Sequence, residues 1–339
     1  MKILISAMLF LGLSVTMPAA IPTITFDDDD IDITEWKVPW DDTRPRDPYV
    51  APDGKVWFCG QKGDYIAYLE PESGEFKRFE IPKGSHPHNL IIDEKGMVWY
   101  AGNRNAHIGK LNPKNGKVER YPMPNPAARD PHTLVFDQKG DIWFTVQGGN
   151  FVGKLETASG YVEVIEVPTK RSRPYGIKVD PNNRPWIVLF GSHKIITVDP
   201  VTMKLEEIEL PRTDARPRRM EITSDGMIWY VDYAKGFLGR LHPETHEVQE
   251  WPLPSGEGSK PYGTARDDQD RIWLVESGPK PNKLIGFDPK SETFFSNKAI
   301  PSGGGTVRYM YFHPTTKEIW FGADTNTIGR VRIYPQTEL

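Results

Sequence analysis

The sequence predicts an all-β fold: a single seven-bladed β-propeller of four-stranded blades, closed by an N-terminal strand that completes the last blade. Three observations predict it. Trp recurs at Trp57, Trp99, Trp143, Trp186, Trp229, Trp273 and Trp320, with spacings of 42, 44, 43, 43, 44 and 47 residues, and a period this regular marks a repeat architecture. Each repeat carries four short strand patterns separated by turn residues, which is the make-up of a propeller blade. The seventh repeat stops one strand short, while a strand without a hairpin partner stands at the other end of the chain. Pairing the two closes the ring and removes the sheet edges that an open array would expose.

In chain order, Lys2, the apolar run Ile3 to Val15 and the small residues Ala19 and Ala20 read as a signal peptide over residues 1–20, too short for a membrane span. A secreted or periplasmic location follows, with no membrane contact once the segment is cleaved. Residues 21–34, with the run Asp27 to Asp30, read as a solvated acidic linker. The propeller is expected over 35–333. Thr34-Glu35-Trp36-Lys37-Val38-Pro39 matches the outer strand Gln249-Glu250-Trp251-Pro252-Leu253-Pro254, so it is the piece missing from blade seven. Within a blade, Leu90 to Asp93 is a first strand and Gly96-Met97-Val98-Trp99-Tyr100 turns into the second. Ile108-Gly109-Lys110-Leu111 is the third, and an apolar-Pro pair such as Met123-Pro124 ends the fourth. Residues 334–339 form a tail.

Composition agrees with this layout. The chain has 339 residues, 42 Lys and Arg against 46 Asp and Glu, a net charge of −4 and 38% hydrophobic residues, the profile of a soluble globular protein without the cationic excess of a nucleic-acid binder. Its 30 Gly and 31 Pro favour many short elements. The single cysteine, Cys59, rules out an internal disulfide framework and a cysteine-rich metal site. The Trp series reads as core between blades, and a monomer is expected.

The chemistry should sit where the blades meet the channel. Strands one and two of a blade are antiparallel, so the start of the first shares a rim with the end of the second. Twelve residues before each Trp stand Pro45, Pro87, Pro131, Pro174, Pro217 and Pro261, with Val307 in the seventh place. The residues that follow are Arg46, His88, His132, Tyr175, Arg218, Tyr262 and Arg308, and those that precede are Arg44, His86, Asp130, Arg173, Arg216, Lys260 and Thr306. Of these fourteen, six are Arg, one Lys, three His and two Tyr, so one rim concentrates cations and should focus a positive field at the channel mouth. Fourteen residues beyond the rim positions, Asp232 is expected to face Arg218, as scaffold or as site, and Glu276 to face Tyr262. His88 and His132 have no charged partner in their own blades and are expected to titrate near the reference value of about 6.5.

The pattern Gly-x-apolar-Trp-aromatic, then Ile-Gly-Lys/Arg-Leu, then apolar-Pro, with Pro-His or Pro-Tyr-Gly opening the blade, resembles the streptogramin B lyase family from about Glu35 to Ile333. The resemblance implies a seven-bladed propeller that opens a cyclic antibiotic lactone by elimination, with a divalent cation, magnesium or calcium. The family's histidine of blade six falls on Tyr262 and its histidine of blade seven on Arg308. Its two glutamates fall on Thr306 and Asp324, and of the four positions only Asp324 keeps its chemistry, as a single candidate metal ligand.

The residues themselves suggest elimination next to a carboxylate. A carbon acid of this kind ionises only when its enolate charge is stabilised, which Arg does, while a neutral His or an ionised Tyr takes the proton. The reading assigns His88 or His132 as base, Arg218 to the substrate carboxylate and Tyr175 or Tyr262 to the leaving oxygen. Arg46, Arg173, Arg216, Lys260, Glu276 and Arg308 are the further substrate-binding candidates. The substrate expected is an anionic small molecule or a uronate-containing oligosaccharide. The alternatives are a streptogramin-type lactone-opening lyase and a non-catalytic propeller that binds an anionic partner.

Overall fold

The computed structural model describes residues 30–334; the expected signal segment 1–20, the linker up to residue 29 and residues 335–339 of the tail lie outside them. Strands Ile31–Lys37 through Thr327–Ile333 form seven four-stranded antiparallel sheets, and the only helical element among the described residues is a single turn at Gly256–Gly258. In six sheets the order follows the sequence. In the seventh it runs from Ile31–Lys37 to Thr327–Ile333, Glu318–Ala323 and Val307–His313, so the ring closes as the ends of the sequence predict. Ile31 pairs with Ile333 and Lys37 with Thr327. The strand therefore begins at Ile31, and residues 31–34, assigned above to the linker, belong to the blade. Trp36 stacks on Trp320 with ring centroids 5.6 Å apart, which ties the returning strand to the core of its sheet.

The hairpin turns follow from their chemistry. Gly96 and Gly226 take φ of 76° and 84°, a left-handed conformation that glycine adopts without strain. Asp93 accepts from the Met97 amide at 2.9 Å and from the Trp99 indole at 3.0 Å, so one carboxylate fixes both the turn and the buried Trp; Asp180 with Trp186 and Asp267 with Trp273 repeat the contact. All seven Trp are buried and pack against the neighbouring blade: Trp143 meets Ile187, Trp229 meets Leu274, and Trp320 meets Phe58 across the closure. Apolar contact between blades, rather than a continuous backbone ladder, thus joins the seven sheets.

The first strand of every blade carries a register shift just after it opens. Pro87 pairs with Gly102, but pairing resumes only at Leu90 with Tyr100, and Pro174 with Leu189 resumes at Ile177 with Ile187. The other five blades repeat it. Such a bulge leaves a residue outside the ladder and re-aims its side chain. Here it turns the residues after the opening position toward the ring centre, where side chains of different blades meet.

Candidate functional site

Two layers make up the site. The lower layer lies in the channel. Tyr175 of blade four and Tyr262 of blade six are hydrogen-bonded through their hydroxyls, and the His88 and His132 rings of blades two and three lie 3.5 Å apart, with His132 4.2 Å from Tyr175. Beneath them Asp47 accepts from Arg46 Nε at 2.9 Å, from Asn89 at 2.9 Å and from Arg219 Nη2 at 3.4 Å. Arg219 also donates to Thr133 at 3.1 Å, so one arginine of blade five ties blades one and three together.

The upper layer is a cavity of about 710 Å³ over blades three to six, lined by Arg171, Arg173, Arg216 and Lys260 together with Phe190, Tyr233, Ala234, Gly148 and Gly191. None of its four cations joins an ion pair among the described residues. Arg216 donates to the Thr213 and Ala215 carbonyls and Lys260 to the Ala234 carbonyl. Asp130, which holds in blade three the place that Arg173, Arg216 and Lys260 hold in theirs, is taken up by the Gly148 and Gly149 amides at 2.5 and 2.8 Å. The result is an exposed, uncompensated positive field above aromatic rings, suited to an anion with a flat or ring-shaped body.

Arg218 joins the layers. Its guanidinium carbon lies 4.4 and 4.3 Å from the Phe190 and Tyr233 ring centres on the cavity side, and 5.1 and 3.5 Å from those of Tyr175 and Tyr262 on the channel side. Burial opposes ionisation of Tyr262, but Arg218, Arg46, Arg219 and Arg308 outweigh it and bring the phenol down to about 8. Tyr175 moves the other way, raised by burial and by the charge that Tyr262 takes. The negative charge of the pair therefore rests on Tyr262, with Tyr175 as the donor to it.

Several expected arrangements do not form. Arg218 does not face Asp232, because Asp232 pairs with Pro217 and its carboxylate is held by Arg212 at 2.6 Å and by the Arg216 amide at 2.9 Å. Glu276 likewise pairs with Pro261, not Tyr262; it is fully buried and accepts from Ser255, so it lines neither layer. The cause is the bulge: an unbroken ladder would set Arg218 opposite Asp232 and Tyr262 opposite Glu276, and the shift moves each partner by one residue, which reverses the side a strand residue faces. His88 and His132 do not titrate near neutrality. Burial, reinforced by Arg46 beside His88 and by Arg219 beside His132, holds both well below the ordinary imidazole value, which makes them poor bases at neutral pH. Arg46 is 3% exposed, below the rim rather than on it.

The divalent cation implied by the resemblance does not fit the donors present. Asp324 is bound to Arg308 Nη2 at 2.5 Å with Arg44 at 3.8 Å. Arg308 and Thr306 stand where the resemblance puts a histidine and a glutamate, and a guanidinium repels a cation. Among the described residues no group of three or more His, Cys, Asp or Glu is placed to hold one.

Arg173, Arg216 and Lys260 come together in the cavity and Tyr175, Arg218 and Tyr262 beneath it, as the rim positions suggest. Arg171, Phe190, Tyr233, Arg219 and Asp47 were missed. Phe190 and Tyr233 each lie one residue past the compared hairpin position, and Asp47 and Arg219 two past the opening proline, so one further place on each side reaches these four, whereas Arg171 stands three before Pro174.

Among known proteins, a solved structure of a streptogramin B lyase matches with a TM-score of 0.80 and 27% identity, covering 89% of this chain and 97% of that one. A virginiamycin B lyase from Staphylococcus aureus, at 23% identity over 89% of this chain and 99% of its own, superposes at a TM-score of 0.80. A catalytically inactive form of the Staphylococcus aureus virginiamycin B lyase with quinupristin does so at 24% identity, with the same coverage and a TM-score of 0.80. No curated protein matches the sequence. The virginiamycin B lyase family matches residues 16–193, as far as the second strand of blade four, so Tyr262, Thr306, Arg308 and Asp324 stand beyond the matched part. With more than half of its length matched and all seven blades in place, the chain belongs to the virginiamycin B lyase family.

Proposed function

We propose that the protein is a carbon–oxygen lyase that opens an ester or lactone by elimination, on a substrate whose anionic group seats in the cavity of Arg171, Arg173, Arg216 and Lys260. The observation that carries this reading is the Tyr262–Tyr175 pair set among four guanidinium groups directly beneath that cavity. Tyr262, as phenolate, takes the proton from the carbon next to the substrate carbonyl. Arg218 and Arg308 neutralise the enolate oxygen as charge develops. The carbon–oxygen bond then breaks, the departing oxygen takes a proton from Tyr175, and Tyr175 recovers one from Tyr262, so the proton balance closes within the pair. Arginines thus do the electrostatic work at a position where a cation does not fit. Both phenols are buried, so substrate reaches them only when Arg218 leaves its stack. The lyase names of the relatives favour a lactone; the four cations without an acid partner extend the reading to uronate-containing saccharides. The N-terminal apolar segment supports a secreted or periplasmic setting.

The burial of the two phenols favours a second reading, an anion-binding propeller without turnover. One experiment separates them. Purified protein is incubated with quinupristin and, in parallel, with uronate oligosaccharides, and followed by mass and by ultraviolet absorbance. Elimination opens the lactone with no change of mass, or yields an absorbing unsaturated uronate, and Tyr262→Phe abolishes either. A product one water heavier marks hydrolysis and overturns the mechanism. Binding of the saccharide without any product leaves the second reading standing.

A further inference from the structure

The centre of the ring holds more positive charge and more hydrogen-bond donors than the protein itself satisfies. Three guanidinium groups, Arg46, Arg218 and Arg219, meet there with one carboxylate, Asp47, whose two oxygens are already engaged, and with the one phenolate charge that Tyr262 takes up near pH 8, so at least one positive charge has no counter-charge even then. Arg46 and His132 are more than nine-tenths buried, yet Arg46 Nη2 and His132 Nε2 have no hydrogen-bond partner, and neither has Arg218 Nε. The His132 proton can be placed. Thr133 Oγ accepts from Arg219 Nη1 at 3.1 Å and lies 2.8 Å from His132 Nδ1. Its own proton is satisfied by donation to Nδ1, which puts the proton of the neutral imidazole on Nε2 as a further donor without an acceptor. His132 lies 4.2 Å and the Arg218 guanidinium 5.1 Å from the Tyr175 ring, and Arg46 is near enough to act electrostatically on both Tyr175 and His132.

Buried charge is tolerated when it is paired, and buried donors when they are bonded. A water molecule would accept from these donors but leave the charge excess, and a cation would be repelled. We infer that the channel centre binds a small monovalent anion, a halide or a carboxylate, held by Arg46 of blade one, His132 of blade three and Arg218 of blade five. Such an anion ties together blades that are not neighbours in the ring, and it does so whether or not the cavity above turns a substrate over.

The test uses the full chain crystallised from sodium bromide, with data collected at the bromine edge, and a second crystal grown from sodium acetate. The expected result is an anomalous peak within hydrogen-bond reach of Arg46 and His132, or carboxylate density at the same place. Bromide found only on the rim around Arg171, Arg173 and Arg216, or water alone at the centre in both crystals, overturns the inference. In solution, bromide line broadening by the wild-type protein should be saturable. Arg46→Gln should weaken the binding about tenfold, the usual scale for losing one charged hydrogen bond. His132→Asn gives the same reading should Arg46→Gln not fold, and unchanged bromide affinity in a folded variant also overturns it.

Discussion

At Tyr262 two effects of opposite sign meet. Burial favours the neutral phenol, while Arg218, Arg46, Arg219 and Arg308 favour the phenolate, and the charges win: the group ionises at about 8 against a normal 10.0. Because the folded value lies below the unfolded one, the unfolded chain binds more protons between about pH 8 and 10, and in that window the group adds stability as pH rises. Below about pH 8 it adds none. Denaturant midpoints of wild type and Tyr262→Phe should therefore diverge from pH 7.5 to 9.5, and the variant should lose the phenolate absorbance that rises near pH 8. Turnover should fall by about a hundredfold or more, the usual scale for removing a general base. His88 and His132 carry the opposite lesson. Held neutral by burial and by the arginines beside them, they must take up protons on unfolding once the pH drops below about 6.5, so the fold should weaken from there toward pH 5. Imidazole proton resonances that titrate between pH 6 and 7 at these positions would contradict this. Spacing puts both histidines on one rim of the ring but carries no measure of their burial, since that depends on the other blades filling the same space.

At the scale of the strand, the returning segment Ile31–Lys37 and the bulged first strands do most to set the site. The first was legible, because its motif repeats that of the other outer strands and its partner is absent from the far end. The second was not. A bulge leaves no mark in a count of residues between Pro and Trp, so Arg218 was placed opposite Asp232 and Tyr262 opposite Glu276, whereas those acids serve loops. The spacing gave the right residues but the wrong partners. Deleting the chain up to Pro39 should cost about 3 kcal/mol or more, since it uncovers Trp320 and opens an edge strand. Trp36→Ala, which removes only the ring stacked on Trp320, should cost about 1–2 kcal/mol. Thermal unfolding of both variants measures the two losses; equal losses would mean that the stack, not the strand pairing, holds the closure.

For the whole molecule, a net charge of −4 hides a strong asymmetry. The cavity wall presents Arg171, Arg173, Arg216 and Lys260 without acids, while acids such as Glu206, Glu207 and Glu209 lie on an outer strand. Anion binding in the cavity should accordingly weaken about tenfold between 0.05 and 0.5 M salt, as screening shortens from beyond the cavity's width to a few ångströms. Titrations at the two ionic strengths check it, and Arg173→Gln with Arg216→Gln should flatten the dependence. The Trp period gave the ring, and the charge of the rim residues gave the side of it that matters. The depth at which each side chain ends depends on contacts around the ring and appears only once the ring is closed.

That closure also fixes an order of events during synthesis. Ile31–Lys37 leaves the ribosome well before Thr327–Ile333, its only ladder partner among the described residues, which follows nearly three hundred residues later. Until then that strand has no home, and the last sheet assembles with one side open. A second nascent chain nearby offers that open side the same strand, in the same register, at no loss of contact. At high local concentration two copies should therefore be able to trade this strand, each ring then complete with a strand from the other.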